Sequence, residues 1–236
     1  MLKKELIRRS PIRVLERSIH GGLGKGNLGV FTARKGVGKT ACLVHVSIDK
    51  LLRDQKVLHI SFAEDPHHIE NWYEQVFREL ASAYRMENVI ENHDQIIQNR
   101  MILHFRQSGI TLHHVKDSIG QLCHGAKFCP EIIIVDGFSF YDAIEDDFIF
   151  WKQLAKEWDV AIWFSATLHR ENLQFDARGV PSPVNRFYDI FSVIIMLNPV
   201  SDYIDLKLIK DHDSDNLKKL KLKLDPQTLL IANHRI

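Results

Sequence analysis

A glycine-rich run carries the residues with the clearest chemistry. Its members are Ala33, Arg34, Lys35, Gly36, Val37, Gly38, Lys39 and Thr40. A backbone loop binds several anionic oxygens only where side chains do not block their approach, and Gly36 and Gly38 meet that condition. Lys39 would supply a positive charge for the terminal phosphates, and the Thr40 hydroxyl would ligate Mg²⁺. The run, with Ala41 after it, therefore predicts a nucleoside triphosphate site, with ATP and Mg²⁺ as the expected cofactors.

Two carboxylates follow apolar segments that are expected to be strands. Asp136 ends Glu131–Asp136, whose continuous apolar run is typical of a strand buried on both faces. A carboxylate there can hold the water shell of Mg²⁺, so we expect Asp136 to act with Thr40 at the metal. Glu64 lies just beyond the strand that follows the phosphate-loop helix, and adjacent strand ends meet at one edge of a parallel sheet. Glu64 is the expected general base, and Asp65, which is also suited to capping a helix, is the alternative.

Apolar periodicity predicts the elements that position these residues. Strands are expected at Leu28–Thr32, Lys56–Phe62, Met101–Phe105, Glu131–Asp136, Val160–Ser165 and Asp189–Leu197. Helices are expected at Thr40–Leu52, from Asp65 to about Tyr84, at Leu112–Ala126 and at Asp147–Trp158. This order predicts an α/β fold, with a mostly parallel central sheet flanked by helices, in a single domain over residues 1–236.

The two ends of the chain have a different character. Residues 1–27 are basic and end in a glycine-rich stretch, which predicts a segment with turns that leads into the first strand. Near the other end, Asp205–Ile209 and Leu217–Leu224 flank a polar turn, and the second of these runs alternates lysine with leucine. They predict a C-terminal β-hairpin with one solvent-exposed face, typical of an edge strand that is protected against aggregation.

The overall charge restricts the classes of partner. The 236 residues include 31 basic and 30 acidic ones, so the formal charge is +1 and no global field steers nucleic acid or membrane towards the chain. Nucleic acid is a possible but not a favoured partner. Three cysteines are too few for a disulfide framework, and no apolar run reaches the length of a membrane-spanning helix. We therefore expect a cytoplasmic protein with no membrane partner.

Several segments resemble the RecA superfamily, and in detail the branch that contains the DnaB-type replicative helicases and the KaiC-type clock ATPases. The similar segments are Gly21–Leu28, the phosphate-loop run Ala33–Thr40, Ile60–Glu64 and Ser165–Glu171. The resemblance extends from about Gly21 to Pro226 and implies a RecA-like P-loop NTPase fold. It also implies that Glu64 is the catalytic glutamate. Thr167 stands where the family usually has a glutamine that senses the γ-phosphate.

One departure from the family bears on activity. In the ring-forming relatives, a Lys-x-Arg or Lys-x-Lys pair on a late strand reaches the neighbour's nucleotide and neutralises charge in the transition state. The matching positions here are Lys210, Asp211 and His212. His212 is a weaker and pH-dependent substitute for a guanidinium group, so a homo-oligomer or a protein partner would have to supply the missing cation.

The resemblance as a whole implies a Mg-dependent ATP-binding protein that acts as a slow or partner-stimulated regulatory or assembly ATPase. Its catalytic residues would be Glu64, Lys39 and Thr167. One alternative is a DNA-dependent motor of the helicase or recombinase kind. Another is a nucleotide-binding scaffold that does not hydrolyse its ligand.

Overall fold

The computed structural model describes residues 7–8, 10–84, 93–94, 97–106, 109–169, 173–214 and 216–233. Within these residues one sheet contains nine strands. In chain order they are β1 Leu28–Arg34, β2 Val57–Ser61, β3 Arg100–His104, β4 Ile132–Asp136, β5 Ala161–Leu168, β6 Val193–Val200, β7 Tyr203–Asp211, β8 Leu222–Leu224 and β9 Ile231–Asn233. Their spatial order is β3-β2-β4-β5-β1-β6-β7-β8-β9.

The sheet has a parallel part and an antiparallel part. β1 lies parallel to β5 and β6, β2 lies parallel to β3 and β4, and β4 lies parallel to β5. β6, β7, β8 and β9 follow one another in antiparallel order. The prediction of a mostly parallel central sheet is therefore confirmed. Because β1, β2, β4 and β5 run in the same direction, the residues that follow them meet at one edge of the sheet.

Helices cover both faces of the sheet, as predicted. They are α1 Pro11–Ser18, α2 Lys39–Leu51, α3 Pro66–Ala83, α4 Leu112–His124 and α5 Glu145–Glu157. Strand side chains alternate between two cores, so that Phe31 packs with Leu43 on one face and Val30 packs with Trp151 on the other. None of the helices in the described part of the chain has the length and the apolar character needed to cross a lipid bilayer.

The N-terminal segment contains a helix that the sequence did not predict. Ser10 caps α1, since its hydroxyl oxygen accepts a hydrogen bond from the N–H of Ile12 at 3.3 Å. Ile12 and Leu15 are buried, and Ile19 continues the same apolar stripe just beyond the end of the helix. The stripe is short and lies among basic residues, so the charge of the segment concealed its period.

The predicted C-terminal hairpin is present, and a longer hairpin that was not predicted precedes it. The long hairpin joins β6 to β7, with eight paired positions and a turn between Val200 and Tyr203. β7 does pair with β8, but only Ile204 with Leu224 and Asp205 with Lys223 are matched. The predicted exposed face is present around β8, where the buried side chains are those of leucines. The exposed side chains there are those of Lys218, Lys219 and Lys221.

Candidate functional site

A cavity of about 440 Å³ opens at the edge where β1, β2, β4 and β5 end. Nine of the twelve predicted site residues line it, namely Lys35, Gly36, Val37, Gly38, Lys39, Thr40, Glu64, Asp136 and Thr167. Ala33 and Ala41 are buried behind the cavity, and the Arg34 side chain is exposed to solvent. The fold thus brings together residues that are up to 132 positions apart, from Lys35 to Thr167.

The start of α2 faces this cavity. Gly38 is the N-cap residue, no side chain caps the helix, and its first turn contains no acidic residue. The free backbone N–H groups and the positive end of the helix dipole are therefore available to an anion. Gly38 has a φ of +110°, and a Cβ atom there would lie 2.4 Å from Cδ2 of Leu224. Any other residue at this position would meet both backbone strain and a clash.

The Lys39 amine is hydrogen-bonded to the backbone at the start of the phosphate loop. Its Nζ donates hydrogen bonds to the carbonyl oxygens of Ala33 at 3.2 Å and of Arg34 at 3.1 Å. Lys39 is only 8% exposed, and this burial lowers its pKa to about 8, against the opposing effect of the Asp136 carboxylate. The loop therefore holds a desolvated cation whose charge the Asp136 carboxylate offsets in part, and an anion beside it would be stabilised.

Thr40 and Asp136, which were predicted to act together, are direct neighbours. The Thr40 hydroxyl donates a hydrogen bond to Oδ2 of Asp136 at 2.8 Å. The hydroxyl of Ser165, on β5, donates a short hydrogen bond to Oδ1 of the same carboxylate and accepts one from the N–H of Gly137 at 3.0 Å. Hydroxyl and carboxylate oxygens are the ligands that Mg²⁺ prefers, so the chemistry of this group fits that ion.

Ser165 is a site residue that sequence reasoning missed. Its neighbour Ala166 points into the core, whereas Thr167 points to the cavity, so the alternation along β5 places Ser165 and Thr167 on the same face. That period-two pattern was the available signal. Thr167 lies opposite Ala33 in the register of β1 and β5, so it stands beside the first residue of the loop.

The Glu64 backbone is fixed, while its carboxylate projects towards the cavity. Its N–H donates a hydrogen bond to the Ser61 hydroxyl at 3.0 Å. Its carbonyl oxygen accepts hydrogen bonds from that hydroxyl at 2.6 Å and from Nδ1 of His104 at 2.8 Å. The Glu64 side chain is 48% exposed, and its Oε2 lies 3.9 Å from Nε2 of His68. Glu64 is therefore free to accept a proton from a water molecule in the cavity.

Asp65, the alternative base, is the N-cap residue of α3. Its Oδ1 accepts a hydrogen bond from the N–H of His68 at 3.1 Å and caps α3. This backbone hydrogen bond is the main cause that lowers the pKa of Asp65. Asp65 is not among the residues that line the cavity. The geometry therefore favours Glu64 over Asp65 as the base.

The segment that joins β8 to β9 forms another wall of the cavity. Pro226 and Leu229 line it, together with Ile204 on β7 and Trp72 on α3. Nε2 of His45, a buried residue of α2, lies 3.0 Å from the Leu229 carbonyl oxygen. Burial lowers the pKa of His45 to about 4, so this imidazole is neutral near pH 7. The wall is apolar, in contrast to the loop opposite it.

The side chains of Lys210 and His212, which the sequence analysis considered for contact with a neighbour's nucleotide, are engaged within their own chain. Nζ of Lys210 donates a hydrogen bond to the Tyr188 carbonyl oxygen at 2.8 Å and lies 4.3 Å from the centre of the Tyr188 ring. His212 lies against Asp211 and Leu23. Neither residue lines the cavity. In this arrangement neither side chain is presented to a neighbouring nucleotide.

A second and larger cavity, of about 810 Å³, lies among α4, α5 and the segment after β4. It is lined by aromatic rings and by three carboxylates, those of Asp142, Asp146 and Asp147. None of the predicted site residues contributes to it. Carboxylates repel phosphate oxygens, so this cavity does not compete with the loop as the anion site.

The sequence matches no model of a known protein family, and a comparison with curated proteins gives no match either.

Proposed function

We propose that the chain is a RecA-like, Mg-dependent ATP-binding protein that hydrolyses ATP slowly or under stimulation by a partner, as a regulatory or assembly ATPase. One observation carries this proposal. A single cavity contains a desolvated lysine at an uncapped helix start, the hydrogen-bonded pair of Thr40 and Asp136, and the carboxylate of Glu64. An anion site, a set of oxygen ligands and a base are the three components that phosphoryl transfer to water requires.

Each group has a defined role in this proposal. The loop N–H groups and Lys39 bind the phosphates, and Thr40 and Asp136 hold Mg²⁺. The ion would neutralise charge on the terminal phosphates. Glu64 orients a water molecule and accepts its proton, and Thr167 contacts the γ-phosphate or that water. The apolar wall with Trp72 accommodates the flat nucleobase.

Slow turnover is expected from two features of the free chain. Glu64 is half exposed, so solvent competes with the cavity for its carboxylate. Lys210 and His212 are bound within the chain, so the cation that stabilises the transition state in ring-forming relatives has to come from a homo-oligomer or from another partner. The same feature favours a non-hydrolysing nucleotide-binding scaffold as the second candidate.

A DNA-dependent motor is less well supported. Arg178 is a basic residue of the loop at 173–185, where the resemblance to the RecA superfamily would place a DNA-binding segment. Its guanidinium group pairs with Asp176 at 2.7 Å and lies 3.9 Å from the Tyr188 ring centre. A guanidinium group held in this way is less available to a phosphate backbone. Arg170, which flanks the loop, lies outside the described residues.

Titration with Mg·ATP tests the proposal directly. Trp72 is the only one of the four tryptophans that lines the cavity, so we expect its fluorescence to change saturably with ATP. Trp72→Phe should lose this signal while calorimetry still detects binding. If calorimetry shows that the wild-type chain does not bind Mg·ATP, the proposal is wrong.

Turnover and oligomer mass, measured together with and without single-stranded DNA, distinguish the candidate functions. Turnover that rises with protein concentration, as the mass rises, would support a site completed by a second copy. Stimulation by DNA alone would favour a motor. Tight binding without turnover under any of these conditions would select the scaffold.

The buried Lys39 predicts how binding depends on pH. In the free chain its pKa is about 8, and phosphates placed beside the ammonium group raise that pKa, so that binding takes up a proton above about pH 8. We expect the dissociation constant of Mg·ATP to increase above pH 8 by up to about tenfold per pH unit. Calorimetry at about pH 7 and pH 9, in buffers of different ionisation enthalpy, measures both affinity and proton uptake. Equal affinity at both pH values, with no proton uptake, would contradict this environment for Lys39.

A further inference from the structure

A second group of ligand-type side chains lies outside the nucleotide cavity, where the turn after α1 meets the end of β7. Nδ1 of His20 is 2.8 Å from Oδ2 of Asp211, and Nδ1 of His212 is 2.8 Å from Oδ1 of the same carboxylate. One donor atom from each of the three residues lies within 4.8 Å of the other two. We call this group the His20–Asp211–His212 cluster.

The carboxylate of the cluster is buried without a conventional counterion. Asp211 is fully buried, and among the described residues its ionisable contacts are with histidines and not with lysine or arginine. A buried carboxylate is stable only when a positive charge or several hydrogen bonds compensate it. The compensation for Asp211 must therefore come through the two imidazole rings.

The hydrogen bonding of His212 indicates that a positive charge lies between its ring and the Asp211 carboxylate. Its Nε2 lies 3.1 Å from the Leu23 carbonyl oxygen, which can only accept, so Nε2 carries the hydrogen. In the neutral ring, Nδ1 then presents its lone pair to Oδ1 of Asp211. Two lone pairs at 2.8 Å repel each other unless a positive charge lies between them. That charge is either a proton, on the ring or on the carboxyl group, or a metal ion.

The arrangement of His20 favours the metal ion over a proton. Although Nδ1 of His20 is 2.8 Å from Oδ2 of Asp211, this oxygen accepts no hydrogen bond among the described residues, because the geometry of the contact does not suit one. A proton on His20 would therefore leave Oδ2 unsatisfied. A metal ion in contact with all three donor groups would satisfy both imidazole rings and the carboxylate together.

The backbone is strained in a way that holds the cluster together. His20 has a φ of +52° and His212 a φ of +49°, both in the left-handed region that residues other than glycine rarely adopt. Such conformations persist only where the surrounding structure enforces them, and they are concentrated at functional sites. The left-handed backbone conformations of His20 and His212 position their imidazole rings against Asp211.

We propose that the His20–Asp211–His212 cluster is a Zn²⁺ site, with two imidazole nitrogens and one carboxylate oxygen as protein ligands and water in the fourth position. Imidazole and carboxylate are common zinc ligands, and tetrahedral zinc keeps its ligand atoms about 3.3 Å apart. The two 2.8 Å contacts would lengthen by about 0.5 Å, and donors that now lie within 4.8 Å of one another would turn towards the ion. The bond from Nε2 of His212 to the Leu23 carbonyl is the outer contact that a zinc-bound histidine characteristically makes. The His20 side chain is 53% exposed, which gives the ion a path from solvent.

Equilibrium titration with Zn²⁺ against a chromophoric chelator tests the site. The wild-type chain should bind one Zn²⁺ at this site, and binding should raise its melting temperature. His20→Ala should weaken that binding by at least about tenfold and remove the dependence of the melting temperature on zinc. Asp211→Asn, which preserves the shape of the buried side chain, should have the same effect, so the test does not depend on one variant.

Two controls separate this site from other histidines and thiols. His67→Ala removes a side chain that is 93% exposed and should leave zinc binding unchanged. A Cys123→Ser, Cys129→Ser double variant removes the pair of thiols that could bind zinc on α4 and after it, and it should also retain the site.

Unchanged affinity in both His20→Ala and Asp211→Asn would overturn the proposal. Failure of the wild-type chain to bind zinc would also overturn it. No cluster residue lines the nucleotide cavity, so this test is independent of the proposed ATP binding.

Discussion

Lys39→Ala is expected to weaken Mg·ATP binding by about 30- to 150-fold and to stop turnover. The ammonium group would make charge-assisted hydrogen bonds to phosphate oxygens, and bonds of that kind contribute about 2–3 kcal/mol each. The effect should be in the upper part of this range because Lys39 is only 8% exposed, where electrostatic interactions are stronger than in water. Calorimetry with Mg·ATP and a phosphate-release assay measure the two effects.

A control for folding distinguishes lost contacts from a damaged protein. Burial keeps the pKa of Lys39 at about 8, below its ordinary value of 10.5, so at pH 7 the charged amine makes folding less favourable. The melting temperature of Lys39→Ala near pH 7 should therefore not fall below that of the wild type. Lys207→Ala removes an exposed lysine of β7 outside the cavity and should bind normally. Unchanged ATP affinity in Lys39→Ala would refute the proposed phosphate site.

Glu64→Gln is expected to retain Mg·ATP binding within a few-fold and to lower the hydrolysis rate by about 10²- to 10⁴-fold. The amide preserves the shape of the side chain but cannot accept a proton, and a positioned general base contributes about that factor. The hydrogen bonds that fix residue 64 involve its backbone, so the substitution leaves the local fold intact. Single-turnover hydrolysis is the appropriate measurement because it separates chemistry from product release.

Asp65→Asn is the matched control for Glu64→Gln. Asparagine caps helices as well as aspartate does, so the start of α3 should be retained. Because Asp65 is the cap and does not line the cavity, this variant should hydrolyse ATP at nearly the wild-type rate. The opposite result, with Asp65→Asn inactive and Glu64→Gln active, would assign the base to Asp65.

Part of the cavity lining was predictable because the signals of those residues are local. A lysine and a threonine after two glycines, and an aspartate at the end of an apolar run, each occupy a few consecutive positions. The parallel order of strands then implies where they meet, which is why Thr40 and Asp136 could be paired across 96 residues. The start of α3 at Asp65 was predicted on the same basis, from one capping residue and one proline.

Other features depend on contacts that no local pattern encodes. β9 has only three residues, and its pairing with β8 is decided by the packing of the sheet as a whole. Ser165 has no motif of its own, and it becomes a site residue because β5 lies beside β4. The sequence also placed the start of β6 four residues too early, at Asp189, because the apolar character of the region begins before Val193, where the strand begins.

The wall formed between β8 and β9 affects how shortened forms of the chain should be interpreted. Removing the residues after about 224 would delete Pro226 and Leu229 from the cavity and the partner of His45 on α2. A loss of ATP affinity in such a form would therefore report a missing side of the pocket, and would not by itself reveal a regulatory tail. The segment between β8 and β9 therefore has to be retained in any shortened form whose affinity for ATP is compared with that of the wild type.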